Sequence, residues 1–374
     1  MSAMRVLYVS PHAELGGAER VTVDLIHLHD RAVVEPSVCF LRDGPLVQRM
    51  RESGVETFLV PAPPLRRVFE SRRAVRALTD VIRAANHDLV HSAMAWGHVY
   101  GGRAARKARK PAVFFQHVGA SWNTIETAAT LVKAHAIVAN SEFTAAKQRR
   151  HNPRRAPVKV IHPGTHISTE AWEARRARGR ASLGLQDGEF AVGIAARLQQ
   201  WKGQDVFLRA AASLLHARRD ARAFVIGGAL FGLEQEYADR LPRLAEELGI
   251  AHRVTFTGHR EDVPDCLAAL DVAVHASTLP ESFGLGLIEG MAAGTAVVAA
   301  DAGATREIIT PGVDGLLTPP GDHEALATAL LALHDDADRR SGFAEAGYET
   351  ARRRFDAAVM TRAMEQLYLE IAGR

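Results

Sequence analysis

Two carboxylates stand eight positions apart in the stretch PESFGLGLIEGMAAG at 280–294: Glu281 and Glu289. Between them, residues 283–285 supply consecutive backbone N–H groups just before a helix-like run. Amides at a helix N-terminus bind phosphate oxygens because the helix dipole places partial positive charge there. An acid that stabilises a helix N-terminus explains Glu281 equally well. The small and apolar neighbours of Glu289 predict its burial, and a buried carboxylate needs a partner.

A pair of cations lies in the stretch AARLQQWKGQD at 195–205. Arg197 and Lys202 bracket the loop between a strand-like run and a helix-like run. Two cations in this place suit a diphosphate, since Arg offers a planar fork and Lys a compact charge. Most Arg and Lys side chains are solvated surface charge. The position of this pair at a βα turn favours anion binding over that alternative.

A Gly-Gly turn occurs in the stretch SPHAELGGAER at 10–20, where Gly16 and Gly17 precede a helix-like run. Glycines there allow a ligand to approach the backbone closely. The stretch lacks the Gly-x-Gly-x-x-Gly of dinucleotide sites, and a plain tight turn explains the pair equally well. The chain contains neither a P-loop string nor His-Glu-x-x-His, which argues against an NTPase or a zinc hydrolase. The Asp-Ala-Asp at 336–338 is interpreted as a solvated helix junction.

Two series of short apolar, β-branched runs alternate with helix-like segments, which indicates βαβ units and parallel sheets. The fold class predicted is therefore α/β, with two doubly wound parallel-sheet domains. Ligands of such sheets lie beyond the carboxyl ends of the strands, so two facing sheets would form a deep cleft. The boundary is expected in the polar, Arg-rich segment 164–185, and residues 322–374 should be mainly helical. The runs are 4–10, 34–41, 55–62, 87–93, 111–118, 134–141 and 158–164, then 189–198, 222–229, 252–259, 270–277, 294–303 and 314–322.

Composition is typical of a soluble globular protein with two domains: 374 residues, 47% hydrophobic and 24% charged. Cys39 and Cys266 lie in apolar runs and are interpreted as reduced thiols. The N-terminus enters a strand-like run without a signal-peptide pattern, and no apolar run approaches the roughly 20 residues that span a bilayer. We therefore expect a cytoplasmic protein.

Charge is distributed unevenly along the chain. Residues 1–165 carry 24 Lys and Arg against 13 Asp and Glu, whereas the remainder carries 22 against 30. The basic stretches 66–83 and 103–110 could attract an anionic membrane at its inner face, or an acidic acceptor, with ordinary solvated helix surfaces as the favoured alternative. Neither stretch is interleaved with stacking aromatics, so no nucleic-acid partner is expected.

The ordered motifs resemble the retaining GT-B glycosyltransferases, a family that includes bacterial mannosyl-, glucosyl- and N-acetylglucosaminyltransferases and sucrose synthases. The resemblance covers nearly the whole chain and is most specific over 189–322. It implies two Rossmann-like domains across a deep cleft: an acceptor-side domain at 1–165 and a nucleotide-sugar-binding domain at 166–355. A C-terminal helix at 356–374 would pack back on the first domain. The motifs are GGAER, AARLxxxKG, VIGG, VTFTGHREDV, PESFGLGLIEGMAAGTAVVAADAGATREII and GVDGLLTPPGD.

The resemblance also implies roles for the catalytic residues. Arg197 and Lys202 would hold the donor diphosphate without a metal ion, and Glu281 would hydrogen-bond the sugar ring. His117, in VFFQHVGAS, matches the family's histidine beside the transferring sugar. A histidine after a strand is by itself more often structural, but together with the other motifs a function is favoured.

Further residues are implied to bind the donor. The backbone N–H groups at 283–285 would contact the sugar hydroxyls and the phosphate, and Glu289 would accept from the ribose hydroxyls. His259 and Arg260 fall where the family contacts the nucleotide base. The complete donor-binding set is Gly16, Gly17, Gly228, His259, Arg260, Phe283, Gly284, Leu285 and Glu289.

Two positions depart from the family pattern. In the stretch AGATRE at 302–307, Ala304 replaces the second of two glycines, and Asp314 stands where Asn is frequent. Neither position is assigned to the donor. The departures therefore weaken the assignment to a subfamily but not the predicted activity.

The activity implied is retaining transfer of a hexose from a UDP- or GDP-sugar to an acceptor hydroxyl on a lipid-linked, glycan or small molecule. No cofactor or metal is expected. No residue takes the role of a carboxylate nucleophile, so a donor phosphate oxygen would take the acceptor's proton while the protein positions and stabilises charge. A nucleotide-sugar-binding epimerase or a non-transferring regulatory relative is the alternative. The donor sugar, base, acceptor and linkage are left open.

Overall fold

The computed structural model describes residues 2–119, 121, 123–229 and 234–373. The chain divides into two compact units: residues up to Gly164 with the segment from Ala357 onward, and Thr165–Asp356. The expected boundaries, after residues 165 and 355, each lie one residue away. Thr165 and Asp356, where the chain enters and leaves the second unit, form a parallel bridge. No helix in the described part of the chain is long and apolar enough to cross a membrane.

Unit 1 is built on a sheet in which the described residues form seven parallel strands, in the order β3-β2-β1-β4-β5-β6-β7. The strand order reverses between β1 and β4, which makes this a doubly wound sheet. Helices follow the strands as βαβ units. The strands are β1 (Met4–Ser10), β2 (Val34–Phe40), β3 (Thr57–Leu59), β4 (Leu89–Ala93), β5 (Ala112–Gln116), β6 (Ala136–Ala139) and β7 (Val158–Val160), and the helices are α1 (Gly17–Leu28), α2 (Pro45–Glu52), α3 (Val68–Ala84), α4 (Met94–Ala108), α5 (Thr124–Thr130) and α6 (Glu142–Arg150).

Unit 2 repeats the plan with six parallel strands in its described residues, in the order β10-β9-β8-β11-β12-β13. Its order reverses between β8 and β11. The strands are β8 (Phe190–Ala195), β9 (Ala221–Ile226), β10 (Val254–Gly258), β11 (Val272–His275), β12 (Ala296–Ala300) and β13 (Leu316–Thr318), and the helices are α7 (Trp172–Leu183), α8 (Gln204–Ala217), α9 (Gln235–Glu247), α10 (Val263–Ala269), α11 (Leu285–Ala292), α12 (Thr305–Ile308), α13 (His323–Asp335) and α14 (Ala337–Arg354).

The predicted fold class is confirmed, because every apolar run of both series contains or overlaps a strand and all the strands pair in parallel. Residues 322–374 are mainly helical, as expected, in α13, α14 and the last helix, α15 (Ala357–Ala372). Strands buried on both faces read as continuous apolar runs, which explains why this class is recognisable from the sequence.

The Arg-rich segment 164–185 contains the boundary at its first residue, between Gly164 and Thr165, and most of its remainder is the helix α7 inside unit 2. Its arginines bind α10. Arg176 donates to the carbonyl oxygens of Ala268, Ala269 and Leu270 at the C-terminus of α10, and pairs with Asp271 at 2.8 Å. A cation there satisfies carbonyls that have no intrahelical donor. Arg176 is therefore a packing contact between α7 and α10 within unit 2.

The helix α15 belongs to unit 1 and is held by a buried polar network. The Tyr368 hydroxyl lies 2.6 Å from His91 Nδ1 on β4 and 2.8 Å from the Tyr8 hydroxyl on β1. Glu365 accepts from His29 Nδ1 at 2.8 Å. Burial lowers the pKa of His91 well below its usual value, so its imidazole is neutral in the network. The network is therefore held by hydrogen bonds between neutral groups around one carboxylate.

We expect Tyr368→Phe to lower the free energy of unfolding of unit 1 by about 1–3 kcal/mol, because it leaves buried hydrogen-bonding groups of Tyr8 and His91 without their partner. Chemical denaturation followed by far-UV circular dichroism, which reports the loss of helix, measures the change. The same substitution at the half-exposed Tyr348 of unit 2 is the control, with an expected change within about 0.5 kcal/mol. Equal effects at both positions would contradict the role of the network.

Candidate functional site

The candidate site lies at the switch point of the unit 2 sheet. Strands β8 and β11 are paired neighbours, and the chain continues from β8 to β9 on one side of the sheet and from β11 to β12 on the other. Ligands of open parallel sheets bind beyond the carboxyl ends of the strands at such a point. The loop after β8 carries Arg197 and Lys202, and the loop after β11 carries Glu281. The topology thus brings together residues predicted independently as an anion site and a carboxylate site.

Lys202 and Glu281 form an ion pair, with Lys202 Nζ 2.8 Å from Glu281 Oε2. Only 17% of the lysine side chain and 12% of the glutamate side chain are exposed. The ammonium also lies 4.0 Å from the centre of the Trp201 ring, a cation–π contact. A half-buried charge needs such partners to offset its lost hydration. The predicted cation and the predicted carboxylate are therefore direct neighbours.

Two residues that the sequence analysis did not assign, His275 and Ser277, also hold Glu281. His275 Nε2 lies 3.2 Å from Glu281 Oε2, and the Ser277 hydroxyl donates to the same oxygen at 3.0 Å. The sequence did contain a signal for them, because His275 and Ser277 are polar and lie two positions apart at the end of an apolar strand. Positions i and i+2 of an extended chain point to the same side, so the two side chains could be expected to act together. Lys202, His275 and Ser277 also line one pocket, together with residues of β8 and α11.

The pKa of the Glu281 carboxyl is held well below its usual range. Burial by itself would raise that pKa, but the hydrogen bond from His275 and the charge of Lys202 outweigh it. Glu281 is therefore a carboxylate at any working pH. It can accept hydrogen bonds and cannot serve as a proton donor.

The backbone of Glu281 is fixed by the loop after β12. Ala304 N donates to the Glu281 carbonyl oxygen at 3.0 Å, and Gly303 forms a parallel bridge with Glu281. Gly303 has φ +70°, and a Cβ there would lie 2.1 Å from that oxygen. The replacement of glycine by Ala304 therefore does not disturb this contact, because the hydrogen bond to Glu281 uses the backbone N–H of Ala304. Asp314, the other departure, is buried and accepts from Thr310 N and the Thr350 hydroxyl.

The turn at 283–285 places backbone amides at the start of α11. Gly284, with φ +114°, precedes the helix, and no hydrogen bond joins the N–H groups of Gly284 and Leu285 to other described residues. The Phe283 side chain is buried in the core against Phe355, with ring centres 5.8 Å apart. The turn therefore combines an apolar anchor with amides that remain available to an anion.

The expected burial of Glu289 is wrong, because the residue is half-buried. On α11, Leu287, Ile288 and Met291 face the core, whereas Leu285, Gly286 and Glu289 share the half-exposed face. Those three positions are i, i+1 and i+4 of one helix and lie on the same side. Glu289 therefore lies on the same helix face as Leu285, one turn further along α11, and its apolar neighbours in sequence did not predict its partial exposure.

The remaining predicted residues of unit 2 lie beside the loop after β8. Arg197 is exposed, and no ion pair or hydrogen bond joins its guanidinium to another described residue. Leu198 N donates to the Gly228 carbonyl oxygen at 3.1 Å, and a Cβ on Gly228 would lie 3.4 Å from His259 N. His259 is exposed. Arg260 is paired with Asp262 at 2.7 Å, so its guanidinium already has a carboxylate partner.

Three predicted residues lie in unit 1, at the carboxyl ends of its strands. His117 follows β5, packs 4.0 Å from the Phe115 ring centre, and has a buried Nε2 without a hydrogen-bond partner among the described residues. Burial lowers the pKa of His117 to about 3, so it is neutral. Gly16 precedes α1 and Gly17 is its first residue, and neither has positive φ. Both follow β1, at the switch point of that sheet.

Metal-binding clusters are absent from the part of the chain that the structure describes. There, no three His, Cys, Asp or Glu side chains come together in a way that could hold a metal ion. The positive charge at the candidate site comes from Lys202 and Arg197.

We expect Gly303→Ala to destabilise unit 2 by about 3 kcal/mol, since it adds a steric clash with the Glu281 backbone to the cost of positive φ. Gly321→Ala is a matched control, because Gly321 has φ +77° and nothing within 4 Å of its Cβ position. The control should cost only about 1 kcal/mol. Urea denaturation measures both. Equal losses would show that the contact between Gly303 and Glu281 contributes nothing.

Two family models match consecutive parts of the chain. Residues 176–350 match Glycosyl transferases group 1, and residues 15–169 match Glycosyltransferase Family 4. The lipopolysaccharide core biosynthesis mannosyltransferase LpsB of Rhizobium meliloti (strain 1021) is 32% identical over 250 residues, which cover 60% of this chain and 71% of LpsB.

The D-inositol 3-phosphate glycosyltransferases of Mycobacterium sp. (strain KMS) and Nocardia farcinica (strain IFM 10152) are each 38% identical to this chain, over 193 and 220 residues. These matches cover 51% and 56% of this chain but 42% and 47% of the relatives. The chain thus spans less than half the length of these two relatives.

Solved structures share the fold over almost the full length. Anabaena Alr3699/HepE in complex with UDP and glucose is 27% identical, with a TM-score of 0.85 and coverage of 98% of this chain and 99% of that chain. The sucrose-phosphate synthase of Thermosynechococcus elongatus, 21% identical with a TM-score of 0.80 and 99% coverage of both chains, shows the fold alone. With two doubly wound sheets, both family models and LpsB in agreement, the chain belongs to the GT-B glycosyltransferase family.

Proposed function

We propose that this chain is a retaining glycosyltransferase that moves a sugar from a nucleotide-diphosphate sugar to an acceptor hydroxyl. The observation that carries the proposal is the Lys202–Glu281 pair at the switch point of unit 2, beside the amides at 284–285. A cation, a carboxylate that only accepts, and anion-binding amides are the groups that a sugar diphosphate needs. HepE, 27% identical, was crystallised with UDP-glucose, which supports this class of donor.

In the proposed reaction, Lys202 and Arg197 offset the charge that develops on the leaving diphosphate. The amides of Gly284 and Leu285 bind its oxygens, and Glu281 accepts from a hydroxyl of the donor sugar. Because Lys202, His275 and Ser277 already bind Glu281, this carboxylate is a poor nucleophile toward the anomeric carbon. We therefore propose front-face transfer, in which a donor phosphate oxygen takes the acceptor's proton and the protein contributes positioning and charge. This route needs no metal ion.

The alternative of an epimerase or a non-transferring relative is not favoured, since LpsB and the D-inositol 3-phosphate relatives are named as transferases. Between the two donor classes, the complexes of HepE with UDP support a UDP-sugar over a GDP-sugar. A thermal-shift series with UDP-, GDP- and ADP-sugars tests this choice. A ligand at 100 times its Kd stabilises the native state by about 2.7 kcal/mol, so the preferred donor should stand out.

We expect Lys202→Ala and Glu281→Ala each to lower kcat by about 100-fold or more, because each removes a charged group from the transition state. Sugar transfer from the preferred donor, with circular dichroism to verify folding, measures the loss. Arg209→Ala, an exposed cation on α8, is the control and should keep full activity. Wild-type rates in either site variant contradict the roles given, and a product of inverted anomeric configuration by NMR contradicts retention.

We also propose that unit 1 contacts an anionic membrane through the outward face of α3. Phe69 is 85% exposed and Val68 50% exposed at the start of this helix. Arg72, Arg73 and Arg76 follow Phe69 at i+3, i+4 and i+7, so the four side chains share one face. None of the three arginines has an ion-pair partner among the described residues. An exposed aromatic beside uncompensated cations suits the headgroup region of an anionic bilayer.

We expect Phe69→Ser with Arg72→Glu and Arg73→Glu to abolish flotation with vesicles that contain phosphatidylglycerol, since each arginine near an anionic surface contributes about 1 kcal/mol. The wild type should float at low salt, less at high salt, and not with neutral vesicles. Arg209→Glu with Arg219→Glu, exposed positions of unit 2, is the charge-matched control and should float normally. Absence of wild-type binding at low salt contradicts the proposal. Binding to an acidic glycan alone does so as well.

A further inference from the structure

The two oxygens of the Glu281 carboxylate have different surroundings. Oε2 lies within hydrogen-bond distance of three donors: Lys202 Nζ at 2.8 Å, the Ser277 hydroxyl at 3.0 Å and His275 Nε2 at 3.2 Å. No hydrogen bond joins Oε1 to any residue that the structure describes. Because the Glu281 backbone is also fixed by Gly303 and Ala304, the carboxylate is held in one orientation with one oxygen free.

The geometry defines one proton position on His275. A carboxylate accepts only, so Nε2 carries a proton that it donates to Glu281 Oε2. Nδ1 is buried and has no hydrogen-bond partner within the described residues. The His275 side chain is 12% exposed and Ser277 1% exposed. A buried polar pair of this kind is costly unless its hydrogen bonds are made. Both residues contact Glu281 Oε2, and the Ser277 hydroxyl also lies 3.4 Å from His275 Nε2.

Lys202 has two competing partners under the proposed function. Its ammonium pairs with Glu281 here, yet the donor diphosphate requires the same charge. When the ammonium turns to phosphate, Glu281 loses part of its compensation, and a poorly compensated half-buried carboxylate becomes easier to protonate. The donors that then remain on Oε2 are His275 and Ser277.

We propose that His275 and Ser277 are positioning residues that hold Glu281 Oε2 while Lys202 serves the donor diphosphate, so that Oε1 is presented to a hydroxyl of the donor sugar. The inference rests on the proposed function and extends it to two residues at the end of β11. Among the described residues, the titratable or charged groups that interact with Glu281 are Lys202, from the loop after β8, and His275, from β11. Without His275, Lys202 is the one group of this kind that remains beside Glu281.

The test compares His275→Leu, His275→Gln and Ser277→Ala by kcat and KM for UDP-glucose across pH. His275→Leu should lower kcat/KM about 10- to 100-fold, as expected for the loss of a hydrogen bond to a charged group. Its acid limb should move to higher pH, because the active carboxylate is lost as pH falls through a pKa that is now raised. His275→Gln, whose amide can donate from a similar position, should recover most of both effects. Ser277→Ala should give a smaller loss of the same kind.

The matched control is His334→Leu. His334 is also in unit 2, is 15% exposed and contacts the carboxylates of Asp220 and Asp335. Its ring packs on Phe190, the first residue of β8, at the end of the sheet away from the site. This variant should keep the wild-type acid limb even where its stability falls.

Three outcomes overturn the inference: a wild-type pH profile in His275→Leu, equal defects in the Leu and Gln variants, or the same shift of the acid limb in His334→Leu. Calorimetry with UDP-glucose separates this inference from the proposed function. A wild-type protein that neither binds nor turns over any nucleotide sugar contradicts the proposed function. An active wild type with an unaffected His275→Leu contradicts only the role of His275.

Discussion

The ion pair between Lys202 and Glu281 joins the loops that follow β8 and β11, and the rest of the candidate site depends on it. Both side chains are half-buried, so each charge needs the other and the polar groups around it. The loop after β12 fixes the Glu281 backbone from the other side. Three loops at one sheet edge are thus held together by a single carboxylate, which explains why its surroundings are more constrained than those of Arg197 or His259.

The cost of burying a charge has a different consequence in unit 1. Its polar core groups are mostly neutral: burial lowers the pKa of His117 to about 3 and that of His98 to about 4, and raises that of Tyr368. Neutral rings avoid the cost of a buried charge and can pack on aromatic neighbours, as His98 does on Phe114. The buried groups named in unit 1 are therefore neutral, whereas the candidate site of unit 2 is built around an ion pair.

Sequence patterns were most informative for features that depend on a single strand or helix. Apolar runs predicted the strands because parallel strands are buried on both faces. The patterns were misleading where the surroundings of a residue are set by contacts with distant parts of the chain. The polar segment 164–185 was expected to contain the domain boundary, which lies at its first residue, but its pattern did not show that the remainder forms the helix α7, whose Arg176 satisfies the C-terminal carbonyls of α10. Glu289 has apolar neighbours in sequence, but the orientation of α11 leaves it half-exposed.

Residue types and spacing alone specified the fold class, the cation pair at the βα turn, the amide turn and the two glutamates. These depend on local chemistry and on the period of a strand or helix. Only the tertiary structure decided which groups meet: Lys202 with Glu281 across 79 positions, His275 and Ser277 on the same oxygen, and Arg260 with Asp262. The physical reason is that strand order, and not strand sequence, brings the ends of β8 and β11 together. Hydrogen bonds of about 3 Å then select one oxygen of one carboxylate, a distinction that no spacing in the chain encodes.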